Sequence, residues 1–132
     1  MRHHATLKWE QQLDKAMQEL DHVLEEQFAG KYSRHPARPK RGTTAHHSHD
    51  GLFGIYANFT MGIGSQKGKG YVVDIKLVTL ENVPTKVRKS IEDTALSELE
   101  TLLPKYFPSV DLDIAKDGPV IKIYGDLSLG TV

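Results

Sequence analysis

The chain has 132 residues, 39% hydrophobic and 26% charged, with 17 cationic side chains matched by 17 acidic ones. This length predicts a single domain over residues 1–132 and excludes two independent cores, and the composition excludes a disordered or fibrous chain. The absence of cysteine excludes disulfides, thiolate nucleophiles and cysteine-based zinc sites, and no apolar run approaches the roughly 18 residues that span a bilayer.

Arg2 is followed by no apolar h-region, so no signal peptide and no membrane partner are expected, and the cytoplasm is the expected compartment. The zero net charge hides a strong asymmetry. Residues 1–30 carry three cations (Arg2, Lys8, Lys15) against six acids, whereas residues 31–70 carry seven cations against Asp50 alone. The remainder is again acidic, so any anion-binding face should be local to the middle of the chain.

Taken in order, residues 6–29 read as an amphipathic helix. Leu13, Met17, Leu20, Leu24 and Phe28 recur at helical spacing, and Trp9 and Val23 widen the stripe. Thr6 is the expected N-cap and Gly30 fits the position just past the C-terminus. The stripe also satisfies two heptads, too few for a coiled coil, so core packing is expected, with pairing to a second copy as the alternative. Residues 31–51 show no period and hold Pro36, Pro39, Gly42, Gly51 and four of the seven histidines. A connection this long in a small domain is usually functional or mobile.

Leu52–Ile63 alternates cleanly. Phe53, Ile55, Ala57, Phe59, Met61 and Ile63 should face a core, opposite Tyr56, Asn58 and Thr60. A second strand, Tyr71–Leu80, follows a glycine-rich connector, so the two should form an antiparallel hairpin whose tip needs the positive φ that glycine supplies. Pro84 fits the first turn of a second helix with Val87, Ile91, Ala95, Leu99, Leu102 and Leu103 on its buried side, and Pro104 should end it. Two short strands around Leu112–Ile114 and Val120–Tyr124 close the chain across a Lys116-Asp117-Gly118 turn. The expected fold is α+β, in the order α-β-β-α-β-β, with a four-stranded antiparallel sheet and both helices packed on one face.

Four patterns carry candidate chemistry. Lys31 to Arg41 holds five cations and no acid, and arginine's planar donors suit phosphate. With the outer face of the sheet it defines a candidate anion or nucleic-acid site of Arg34, Arg38, Lys40, Arg41, Tyr56, Lys76, Lys122 and Tyr124. Cations interleaved with aromatics serve a single-stranded platform, since phosphates pair with charge and bases stack. A solvated loop that balances the acidic helices is the plainer reading of the same charges.

His46-His-Ser-His-Asp50 offers His47, His49 and Asp50 as candidate ligands for a divalent metal such as Zn²⁺, although the spacing suits two ligands better than three, and a surface histidine cluster is the plainer reading. No other cofactor is expected. Asp74-Ile-Lys76, with Asp50 upstream and Glu25 or Glu26 from the first helix, has the outline of a metal-dependent phosphodiesterase. Such short patterns are ordinary strand decoration. Gly62–Gly70 lacks the following helix that a phosphate-cradling loop opens.

Asp50-Gly-Leu-Phe53 and Lys122-Ile-Tyr-Gly-Asp-Leu-Ser-Leu-Gly130 resemble strings of a small uncharacterised bacterial family, over most of residues 41–130. The resemblance implies no activity. The function expected from the residues is therefore a non-catalytic binding domain whose basic loop contacts an anionic partner. The alternatives are a homodimer formed through the first helix or a sheet edge, and a metal-dependent phosphodiesterase.

Overall fold

A computed structural model describes residues 4–28, 30–40, 50–60, 70–108, 110–117 and 120–125. Helix α1 (His4–Phe28) leads into strands β1 (Phe53–Thr60) and β2 (Gly70–Leu77), then helix α2 (Thr85–Tyr106) and strands β3 (Leu112–Asp117) and β4 (Val120–Gly125). All neighbouring strands are antiparallel and the sheet order is β1-β2-β4-β3. Two hairpins therefore lie side by side, joined through α2, and the α+β layout read from the sequence holds.

Both helices cover one face. Trp9, Leu13, Met17, Leu20, Leu24 and Phe28 of α1 share a buried cluster with Ile91, Ala95, Leu99, Leu102 and Leu103 of α2, and with Phe53, Ile55, Val73, Ile121 and Ile123 of the sheet. Trp9 lies between Tyr71 and Phe107, with ring centroids 4.7 and 4.8 Å away. The apolar stripe of α1 is thus covered by the chain's own sheet, so core packing and not pairing with a second helix accounts for it.

Several local expectations are corrected. α1 begins at His4, so Thr6 lies inside the helix and does not cap it. Pro84 occupies the N-cap position with an extended backbone, and Pro104 sits inside α2, which runs two residues further to Tyr106. A proline in a last turn removes one N–H only, and the end is still closed because Phe107 N–H donates to Leu103 C=O at 2.8 Å. Along β1, Phe53 and Ile55 are buried and Ala57 is partly so, but Phe59 is 50% exposed. The register sets Phe59 opposite Tyr71 on the helix side, edge-on at 5.6 Å, yet it lies near the end of an edge strand where nothing among the described residues covers its far side. Met61 and Ile63 lie outside the described residues.

Lys122 departs most from expectation. The pleat puts it on the outer face, in β4 between Val72 of β2 and Ala115 of β3, but it is only 1% exposed. Its stem passes Gly70 so closely that a Cβ there would sit 3.3 Å from Lys122 Cε and 2.2 Å from the Ile123 carbonyl oxygen. Glycine is required at that position by close approach.

The two helices are also clamped by charge. Glu19 Oε1 accepts from Lys105 Nζ at 2.6 Å and from the Tyr106 hydroxyl. The Lys105 hydrogen bond, then that of Tyr106, holds the Glu19 carboxyl below its usual range, and the bond to Glu19 raises both partners. Lys116 of β3 similarly binds Asp93 at 2.6 Å, which lowers the Asp93 pKa.

Candidate functional site

The basic segment folds onto one end of the sheet, and side chains hold it there. Gly51 has φ 73°, a conformation that favours glycine, and turns the chain into β1. Its N–H donates to Pro39 C=O at 2.9 Å, and His35 N–H donates to Val78 C=O at 2.9 Å. Arg38 then donates to three carbonyls: Gly51 at 3.2 Å, Asp50 at 3.3 Å and Phe53 at 2.7 Å. From the helix side, the Glu25 carboxylate accepts from the Leu52 N–H at 2.5 Å and the Phe53 N–H at 3.1 Å.

The sheet register explains why two charged groups serve this strand. Val78 N–H donates to Leu52 C=O at 2.7 Å. This fixes the even-numbered residues of β1 as those bonded to β2 and turns the backbone groups of Phe53, Ile55, Ala57 and Phe59 away from it. At Phe53 a carboxylate and a guanidinium bind the outward N–H and C=O, as a neighbouring strand would. Glu25 is 6% exposed, and Asp21 and Asp50 are buried at 0% and 2%.

Between the end of α1 and this loop lies a cleft of about 570 Å³. Lys31, Tyr32, Ser33, Arg34 and His35 line one side, and Glu25, Leu52 and Glu81 the other. Both acids are engaged with backbone amides, since Glu81 accepts from the Ser33 N–H at 2.5 Å. Thr79 Oγ1 donates to Ser33 C=O at 2.5 Å and accepts from the Glu81 N–H at 3.1 Å. The segment is therefore ordered by main-chain and side-chain bonds along most of its described length.

The candidate anion-site residues separate. Lys31, Arg34 and Lys40 are exposed, whereas Arg38 is half-buried and turned to carbonyls. Lys76 and Tyr56 share the outer face near this end, the ammonium 5.9 Å from the ring centroid. Tyr124 and Lys122 lie further along the outer face. The Val72–Lys122 pair is roughly 13 Å from Lys76 along β2 at the usual strand rise, with Asp74 between them. Arg41 lies outside the described residues.

So do His47 and His49, the histidines named as metal ligands. Among the described residues no group of three or more His, Cys, Asp or Glu is placed to hold a metal ion. Asp74 is on the outer face while Glu25 reaches β1 from the helix face, so these two carboxylates named for phosphodiester chemistry are set on opposite sides of the sheet. Sequence reading missed Asp21 and weighed Glu25 only as an acid for metal-dependent chemistry, although the signal for a buried acid was present. Met17, Asp21, Leu24 and Phe28 follow helical spacing, so an acid stands inside the buried stripe.

With this geometry in view, the comparisons are consistent with the resemblance seen in the sequence. Residues 4–125 match the model of a family described as "Uncharacterised protein". The chain belongs to that family. An "Uncharacterized protein" of the bacterium Borreliella burgdorferi is 40% identical over 107 residues, covering 81% of this chain and 84% of the relative. The match takes in β1, β2, α2 and the described basic segment. No solved structure matches the chain, and among the described residues no helix is long and apolar enough to cross a membrane.

Proposed function

We propose that the protein is a non-catalytic, single-domain binding protein of the cytoplasm whose basic segment contacts single-stranded nucleic acid. The observation that supports it is the division of the cations. Arg38 ties the segment to β1 through three carbonyls, whereas Lys31, Arg34 and Lys40 are exposed on an ordered backbone, Arg34 donating one bond to the Arg38 carbonyl and Lys31 lying over the Phe28 ring. Cations on a held backbone add little backbone ordering to the cost of binding, leaving only their side-chain freedom to be lost. Because the His35 N–H is bonded to the Val78 carbonyl, the segment meets the chain just past the end of β2, two residues from Lys76, whose ammonium lies 5.9 Å from the ring of Tyr56, itself 36% exposed. Phosphates would pair with the cations and a base would stack on Tyr56, with no requirement for sequence.

The test is fluorescence anisotropy of labelled oligonucleotides across a salt series, with wild type and a Lys31→Ala, Arg34→Ala, Lys40→Ala triple variant. Each single-strand phosphate contact contributes about 0.7 to the slope of log affinity against log salt, so the variant's slope should be flatter by about two units. Absence of wild-type binding at low salt removes the reading. Binding with an unchanged slope in the variant moves the site elsewhere.

A further inference from the structure

A second surface, independent of the basic segment, lies on the outer edge of β1. Phe53 has its outward N–H and C=O occupied by Glu25 and Arg38, and Ile55 has a further partner. The outward groups of Ala57 and Phe59 have no such partner among the described residues. This stretch carries the exposed Phe59. It borders a groove of about 240 Å³ floored by Leu13, Met17, Ile55 and Ala57, with the acids Glu10 and Asp14 of α1 at its rim.

We propose that this edge accepts an extended, basic segment of a partner protein as an added strand beside Ala57–Phe59. The open N–H and C=O groups supply main-chain pairing, and alternate side chains of an added strand point to opposite faces. Apolar side chains of the segment would enter the groove while its cations meet Glu10 and Asp14. Charge decides the occupant. A second copy paired edge to edge would bring its own Glu10 and Asp14 toward the same acids, whereas a lysine-bearing strand is drawn to them. The short open stretch fits a peptide segment better than a whole second sheet.

The probe is a short fluorescein-labelled peptide of alternating lysine and valine, titrated into the full-length protein and followed by anisotropy. Three results are expected. Asp14→Lys combined with Glu10→Gln weakens binding about tenfold, a change equal to about 1.4 kcal/mol. Ala57→Pro abolishes binding, because it removes an outward N–H that β2 does not use, and proline is tolerated on edge strands. A peptide N-methylated at alternate residues fails to bind the unaltered protein, which keeps the test decisive should Ala57→Pro fold poorly. Trp9, the only tryptophan in the chain, reports by fluorescence whether each variant keeps its core. No binding of the alternating peptide overturns the proposal. Equal binding of the N-methylated peptide overturns it too, since the attraction would then be charge alone. A concentration-dependent dimer that blocks the peptide would assign the edge to a second copy and also overturn it.

Discussion

Replacing Glu25 by alanine tests whether the junction between the basic segment and β1 is held as described. The carboxylate is 6% exposed and accepts from two amides, Leu52 at 2.5 Å and Phe53 at 3.1 Å. A hydrogen bond to a charged acceptor contributes about 1.5–3 kcal/mol net, and an orphaned buried amide costs about 1–3 kcal/mol. Glu25 also lines the cleft, so water can enter the vacated volume and meet part of the amides' demand. The expected loss is therefore about 2–3 kcal/mol, less than two fully orphaned donors would cost. At about 3–5 °C per kcal/mol for a chain of this length, the melting temperature should fall by about 6–15 °C. Both amides donate to Oε1, so Glu25→Gln can keep a carbonyl oxygen in that place and loses the charge on the acceptor; it should show about half that loss. Thermal melts followed by circular dichroism measure the drop, and hydrogen exchange should report faster exchange at Leu52 and Phe53. A Glu25→Ala protein melting within about 1 °C of wild type would refute the reasoning.

Two further outcomes follow from the core and the helix clamp. Phe53, 0% exposed, should lose about 3–5 kcal/mol on truncation to alanine, whereas Phe59, half exposed on an edge, should lose about 1 kcal/mol; urea unfolding of both variants checks the contrast. The Glu19 pKa is lowered in the folded protein, chiefly by its hydrogen bond to Lys105 and next by that to Tyr106. Its contribution is accordingly full above the ordinary carboxylate range and is lost as pH falls through the lowered value. Glu19→Gln should flatten the acid limb of melting temperature against pH, and an unaltered acid limb would assign that limb to other carboxylates.

The parts legible in the sequence were those set by local periodicity. Alternation from Phe53 onward identified β1, and the spacing in α1 identified its buried stripe. Alternation assigns a face, however, and not how well that face is covered. Phe59 is on the predicted side yet half exposed, because coverage depends on where the helices end and which strand is the edge. The same gap explains Lys122, which alternation assigns to the outer face but which is only 1% exposed, its stem lying against Gly70. Pro104 is expected to end the helix because proline disfavours helical backbone at the residue before it, but in a last turn that bias does not outweigh the packing of Leu102 and Leu103. Counting cations treated Arg34 and Arg38 alike, and only the fold separates an exposed guanidinium that donates to the Arg38 carbonyl from a half-buried one committed to three carbonyls.

The edge of β1 joins these observations into one account of the molecule. An edge strand presents alternate N–H and C=O groups to solvent and invites unwanted pairing. Here the end nearest the basic segment is closed by side chains, with Glu25 supplying the acceptor and Arg38 the donors at Phe53. The same two residues connect α1 and the basic segment to the strand, so closing the edge and ordering the segment are one event. The loss of either charge would act on both, because each would leave a buried polar group unmatched. This coupling also sets the bounds of the two surfaces. Cations are displayed where the edge is closed, and main-chain groups are displayed at Ala57 and Phe59, beyond the reach of the two charges. If both proposals hold, an anionic partner would be drawn to the cations near Phe53 and a basic extended one to the acids Glu10 and Asp14 beside Ala57, so their charges would not compete.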